Sequence, residues 1–166
     1  MPTPQWRPMG RSDLSLAEAI AEQVHPALPE DPAVFAERLQ LFPSGCLLLA
    51  GDSVCSGYAI AHPWRLSRPP PLNTILGQLP DGADTFFLHD LALLPAARGA
   101  GYAGIAVRLL AQRARAMGLD AMSLVAAGTS HAFWRHIGFR PLELDGVADA
   151  AVATYGASAR AMVWRF

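Results

Sequence analysis

Two hydrophobic periods alternate along the chain, and the switches between them mark out its elements. Gln5–Met9 predicts a short first strand. Ser15 and Glu18 form a capping-box pair opening an Ala- and Leu-rich helix that ends by Pro26. Asp31–Pro32 repeats the start signal, an N-cap followed by proline at the first helical position. Val34, Phe35, Leu39 and Phe42 share one face of that second helix, which Pro43–Gly45 ends. Cys46–Ala50 and Val54–Ala61 are apolar runs across a Gly51–Ser53 turn, the pattern of a hairpin, closed by His62. Pro63 to Thr85 is a long connection with further prolines at 69, 70, 71 and 80. Its length fits either a lid over a substrate pocket or a passive surface loop.

Phe86–Leu94 is the strongest strand pattern, stopped by Pro95. After Arg98 a helix carries Ile105, Leu109 and Ala116, with Ala106, Leu110 and Met117 beside them, as one buried stripe capped by Gly118. Ala121–Ala126 returns as a strand, so this βαβ unit should hold two parallel strands. Ser130–Ile137 predicts a short helix stopped by Gly138. Phe139–Leu144 and Arg160–Phe166 follow as closing strands, separated by an Ala- and Gly-rich loop containing Tyr155. No repeat or linker divides the 166 residues, so a single domain, 1–166, is expected.

Composition narrows the function classes. With 52% hydrophobic residues a packed core is expected, and a net charge of −1 argues against a general nucleic-acid binder. No apolar run approaches the roughly 18 residues of a membrane span. Met1–Gly10 holds three prolines and lacks the apolar core and cleavage site of a signal peptide. Cys46 and Cys55 stand in separate apolar runs without paired Cys or His spacing, as two reduced thiols of a cytoplasmic protein. No His, Cys and carboxylate spacing suggests a metal.

The chemistry concentrates in Arg98-Gly99-Ala100-Gly101-Tyr102-Ala103-Gly104, between a strand and a helix. Glycines let backbone approach a ligand, and the first amides of a helix attract an anion, so a phosphate or pyrophosphate is the natural guest. Arg98 adds a cation. Gly99, Gly101 and Gly104 also spell the dinucleotide fingerprint, but Pro95–Arg98 intervenes after the strand and Asp120 precedes the next strand. Tight helix–strand packing would explain the glycines equally well.

These residues resemble the GNAT superfamily of N-acetyltransferases, whose hallmark Arg/Gln-x-x-Gly-x-Gly/Ala is matched by Arg98, Gly101 and Ala103. Leu91, Leu93 and Pro95 match its flanks, and Phe133-Trp134-Arg135-His136-Ile137-Gly138-Phe139 is similar to its aromatic-pair helix. The resemblance implies an α/β (α+β) fold: a mixed, splayed β-sheet of about six to seven strands flanked by about four helices. It implies acetyl-CoA (coenzyme A) as cosubstrate and no metal. The pantetheine arm would pair with backbone at Leu91, Ala92 and Leu93, and the pyrophosphate would sit on Arg98, Gly99, Ala100, Gly101, Tyr102 and Ala103. Trp134 would pack beside the pantetheine, and an N–H near Leu93 would polarise the thioester carbonyl. Relatives are commonly homodimers.

Acyl transfer to an amine needs a base, and histidine is suited near neutral pH. His89, in Leu88-His89-Asp90-Leu91-Ala92-Leu93, resembles a catalytic-base position of serotonin N-acetyltransferase, and a histidine hydrogen-bonded within the sheet is the rival reading. Asp90 is a candidate for the acceptor amine or for orienting a neighbour, and a structural hydrogen-bonded aspartate is the favoured rival reading. Strand alternation would turn it away from His89, although a bulge, which relatives carry here, would change that facing. Trp134 replaces the tyrosine that supplies the family's general acid, and Ala127 replaces a CoA-contacting asparagine; Tyr155 or Tyr58 would have to substitute. Tyr155 is also expected to line the acceptor pocket. His25 reads as a cation at a helix end and His62 as a surface residue. The expected activity is N-acetyl transfer to a primary amine of a small molecule or peptide. A noncatalytic acyl-CoA sensor and a nucleotide-dependent oxidoreductase are the alternatives.

Overall fold

A computed structural model describes residues 3–166; Met1 and Pro2 of the amino-terminal segment lie outside the described residues. Among the described residues, seven strands form one sheet in the order β1-β2-β3-β4-β5-β7-β6. The strands are β1 (Gln5–Pro8), β2 (Cys46–Ala50), β3 (Cys55–Trp64), β4 (Thr85–Leu93), β5 (Ala121–Ala126), β6 (Arg140–Pro141) and β7 (Arg160–Arg165). The helices are α1 (Leu14–Val24), α2 (Pro32–Leu41), α3 (Tyr102–Ala116), α4 (His131–Ile137) and α5 (Gly146–Ala153). All pairings are antiparallel except β4 with β5, as the βαβ pattern requires. That parallel pairing spans only Phe86↔Met122 and Phe87↔Ser123, after which the two strands splay apart.

The sheet separates two cores. On one face α3 packs on Phe86, Leu88, Met122 and Leu124, and on the other α1 and α2 pack on Leu48, Tyr58, Ile60 and Ala92. The buried stripe of α3 is Ala103, Ala106, Val107, Leu110, Ala111 and Ala114; Ile105 and Met117, expected inside, are exposed. Small side chains let the helix lie close on the sheet, so four alanines face inward with Val107 and Leu110, while Ala116, also expected in the stripe, is exposed.

Other boundaries move for local reasons. α1 starts at Leu14 after a 3-10 turn, so Ser15 and Glu18 fall inside the helix and form no capping box; Asp13 instead accepts from the Gly10 amide at 2.8 Å and pairs with Arg7. β3 runs through His62 and Pro63 to Trp64. Trp64 turns its carbonyl to the Asp84 amide, so Pro63 faces the other way, beyond the end of β2, where no partner needs its missing N–H. β6 is cut to two residues, and the loop expected after it contains α5, capped by Asp145 on the Ala148 amide. Cys46 is buried and Cys55 half-buried, both as free thiols, and burial pushes the Cys46 thiol up to about 12.

Candidate active site

The splay between β4 and β5 opens a cavity of about 510 Å³. His89, Asp90, Leu91, Arg98, Trp134 and Tyr155, singled out in the sequence, all line it. Ala127, Ser130 and Phe133 add the β5–α4 side, and His25, Leu28 and Glu30 the segment between α1 and α2.

At one end lies the glycine turn. Gly99 and Gly101 have φ of 81° and 84°, a left-handed backbone that side chains resist, and this turn swings the chain from β4 into α3. Among the backbone hydrogen bonds of the described residues, the α3 ladder begins with Ile105 donating to Gly101, leaving the amides of Tyr102 and Ala103 for an anion. Trp6 of β1 ties the turn down by donating from Nε1 to the Tyr102 carbonyl at 2.9 Å. Arg98 is exposed and lies along β4, its Nε donating to the Leu93 carbonyl at 3.1 Å. Gly99, Ala100, Gly101, Tyr102 and Ala103 do not line the cavity itself; they form the rim beyond it. Ala92 is buried in the α1/α2 core, so it offers the cavity no side chain.

Backbone groups between rim and centre follow from register. Leu94 donates to Ser56 of β3, so by alternation Leu93 and Leu91 turn their polar backbone toward the splay, where β5 no longer pairs with them. A linear amide-bearing ligand would find strand-like partners there.

The centre is built by a bulge. Ala61 pairs with Leu88 but Ile60 with Asp90, so His89 is the extra residue. The bulge turns His89 and Asp90 to the same face, where plain strand alternation would have set them apart. His89 Nε2 meets Glu30 Oε1 at 2.8 Å, and Asp90 Oδ1 meets His25 Nε2 at 2.9 Å. Tyr58 donates its hydroxyl to Asp90 Oδ2. Two histidine–carboxylate pairs therefore share one wall. Nδ1 of His89 is buried without a hydrogen-bond partner among the described residues.

Electrostatics distinguish the groups. The hydrogen bond and charge of Asp90 raise His25 above the usual imidazole range, against the opposing effect of burial. Burial works to raise Asp90, but the hydrogen bonds of His25 and Tyr58 and the imidazole charges outweigh it and hold its carboxyl low. Burial, then the Asp90 charge, push the Tyr58 hydroxyl far up, and burial does the same to Tyr155. Tyr155 donates to the Pro70 carbonyl at 2.9 Å. Both tyrosines expected to stand in for the missing acid are thus committed elsewhere, and Tyr58 does not line the cavity.

Two sequence readings are corrected. His25 is a wall residue of the cavity rather than only a helix-end cation. His62 is fully buried, not at the surface; burial drives its imidazole down to about 3, and Nδ1 bonds the Pro63 carbonyl. Glu30 belongs to no motif in the sequence. Its only signal is placement, an acidic residue in the proline-punctuated stretch His25-Pro26-Ala27-Leu28-Pro29-Glu30-Asp31-Pro32 between two helices.

The sequence profile of the acetyltransferase (GNAT) family matches residues 14–139, from α1 through the end of α4. The chain belongs to the GNAT family. Similar solved structures cover almost all of this GNAT chain. One is the GphF GNAT-like decarboxylase in complex with isobutyryl-CoA, 18% identical, TM-score 0.78, covering 97% of this chain and 98% of that one. Another is the loading GNATL domain of CurA from Lyngbya majuscula, 11% identical, TM-score 0.78, covering 99% and 98%. A third is Naa50 of Arabidopsis thaliana with the bisubstrate analogue CoA-Ac-MVNAL, 9% identical, TM-score 0.72, covering 99% and 100%. At these identities the likeness establishes the GNAT fold. No curated protein matches the sequence significantly.

Proposed function

We propose that the chain transfers an acetyl group from acetyl-CoA to a primary amine of a small molecule or peptide, by direct attack in a ternary complex. The observation that carries this reading is the His89–Glu30 pair on the bulge of β4, inside a cavity that runs to the glycine turn at Arg98. The amides of Tyr102 and Ala103, with Gly99, Ala100 and Gly101 shaping the turn and Arg98 beside it, hold the pyrophosphate. Leu91 and Leu93 supply backbone partners for the pantetheine arm, Ala92 contributes at most its backbone, and Trp134 packs against the arm. The Leu93 N–H polarises the thioester carbonyl.

His89 takes the proton from the amine nitrogen as it attacks. Glu30 accepts from Nε2–H, which leaves the lone pair on Nδ1, the logic by which a carboxylate fixes a histidine tautomer; Nδ1 is buried in the free protein, so the proton reaches it once the acceptor or a water has opened that contact. Glu30 favours the approach of an amine, a cation in water at neutral pH, which gives one proton to solvent before its lone pair attacks, so that the proton His89 takes is the second. The carbon–nitrogen bond forms, the carbon–sulfur bond breaks and the sulfur leaves as thiolate. With a thiol pKa of about 8.5, by analogy with cysteine, it needs little help. Asp90-bound His25 is the acid that the cavity wall offers for its protonation. Tyr155 lies on the acceptor side.

Thiol release from acetyl-CoA across an amine panel tests the assignment, with one amide expected per free CoA. Stabilisation by CoA without turnover on any amine would instead favour a noncatalytic binder, a reading supported by the two committed tyrosines. Stabilisation by NAD(P) and not by CoA would favour an oxidoreductase.

A further inference from the structure

The connection between β3 and β4 spans the seam between the helices that cover the two halves of the sheet. On one side α1 and α2 pack on β2, β3 and β4; on the other, α5, Tyr155 and Leu72 pack against β5 and β7. The seam runs over the splay. Asn73 donates its amide to Glu30 Oε2 at 3.0 Å and accepts at Oδ1 from the Asp31 amide at 2.7 Å. Leu72 donates to Thr154 Oγ1 at 2.8 Å, and Tyr155 donates to the Pro70 carbonyl. Glu37 takes the amides of Leu76 and Gly77 at 2.6 and 2.9 Å, and Arg38 donates to the Thr74 carbonyl at 2.9 Å. Prolines 69, 70 and 71 stiffen the span. The result is a pinned arch from Glu30 to Tyr155, with Leu72 facing the cavity.

We propose that this arch restricts the acceptor to a small amine with an apolar body and no carboxylate, and excludes peptide and protein amino termini. This inference rests on the reading of the site as an acyl-CoA:amine transferase. An extended peptide needs a slot wide enough for a strand, about 5 Å between backbones, and the arch crosses the seam where that slot would lie. The cavity of about 510 Å³ must hold the acyl end of the arm as well as the acceptor, a volume in the range of small-molecule sites. Leu28, Leu72 and Tyr155 give the acceptor end apolar walls. Glu30 would repel a carboxylate, whereas Asp90 is offset by the His25 imidazole paired with it. Arg38 is buried, its terminal nitrogens engaged by Glu37 and the Thr74 carbonyl with Nε alone unpartnered among the described residues, and it does not line the cavity.

Calorimetry with three bisubstrate conjugates decides the matter: CoA joined through an acetyl link to n-hexylamine, to glutamate, or to the amino terminus of an alanine pentapeptide. Relative to CoA alone, the hexylamine conjugate should bind at least ten-fold tighter, and the other two no tighter. The double variant Thr154→Val, Tyr155→Phe, which unties the arch from α5, should then let the pentapeptide conjugate gain several-fold; if that variant does not fold, the wild-type comparison alone decides. A pentapeptide or glutamate conjugate that gains as much as the hexylamine one on the wild type overturns the proposal, as does a hexylamine conjugate that gains nothing. Turnover is read separately. A hexylamine conjugate that gains affinity on a protein acetylating no amine would leave the acceptor space as inferred and remove the enzyme assignment, whereas failure of CoA itself to bind would overturn both.

Discussion

His89 and Asp90 are adjacent in the chain and point to the same side of the sheet. The bulge between Ile60 and Ala61 of the neighbouring strand makes this possible, because it spends one residue without advancing the ladder. The consequence is a wall with two imidazoles, each held by a carboxylate from another element: His89 by Glu30 and His25 by Asp90. Leu91 is returned to the α3 face by the same step, and Ala92 to the α1/α2 face.

On the proposed function, replacing His89 should separate chemistry from binding. His89→Ala is expected to lower kcat by about 10²- to 10⁴-fold, the usual contribution of a positioned general base, with the Kd for CoA unchanged. Glu30→Gln keeps the shape but loses the charge that steadies the imidazolium, and should fall between the variant and the wild type. Steady-state kinetics beside calorimetry would show it; a kcat unchanged around neutral pH would remove His89 from the role.

The glycine turn predicts the reverse split. Gly101 sits at φ 84°, where a β-branched residue costs more than the roughly 1–2 kcal/mol of an ordinary left-handed residue. Gly101→Val should therefore weaken CoA binding by about ten-fold or more, measured by calorimetry on protein whose thermal transition is still cooperative. An unchanged Kd would argue against an anion site at this turn.

The elements that carry chemistry were the most legible from sequence because their signals are local. Strand, Pro95, Arg98, glycines and helix follow one another within about one supersecondary unit, and each has a physical reason to stand where it does. The Glu30–His89 pair has no such signature, since 59 positions separate the partners and only folding brings them together. His62 is buried although a proline follows it, because Pro63 stops a strand only where its N–H would have had a partner. α5 was hidden by its composition: Gly146 and a run of alanines look like loop, and the N-cap at Asp145 is the cue that marks a helix.

The His25–Asp90 pair should give stability a pH window. His25 is raised in the folded protein, so its contribution is complete below its unfolded pKa of about 6.5 and is lost as pH rises through the folded value. Asp90 is lowered, so its contribution is present above about 3.9 and is lost as pH falls through the folded value. The Tm deficit of Asp90→Asn should accordingly be largest at about pH 5 to 6 and shrink by pH 9. A deficit independent of pH would mean that the pair is not ionised.

His62 should set part of the acid limit. Its imidazole is held down to about 3 by burial, so between the unfolded value of about 6.5 and that value the unfolded chain binds the extra proton, and stability falls with falling pH. His62→Gln removes that proton linkage. The slope of Tm against pH between 4 and 6 should be shallower in the variant, even if its Tm at pH 8 is lower because a buried fit has been disturbed.

Glu30 gives one carboxylate oxygen to His89 and the other to the Asn73 amide. On the proposed function, acceptor choice and the setting of the His89 imidazole are therefore not separate traits. A change of sequence in the arch that admits a bulkier amine would also shift the carboxylate behind the imidazole, so that rate and specificity would drift together. Redesign toward a new acceptor would have to restore the Asn73 tie, or accept a slower enzyme as its starting point.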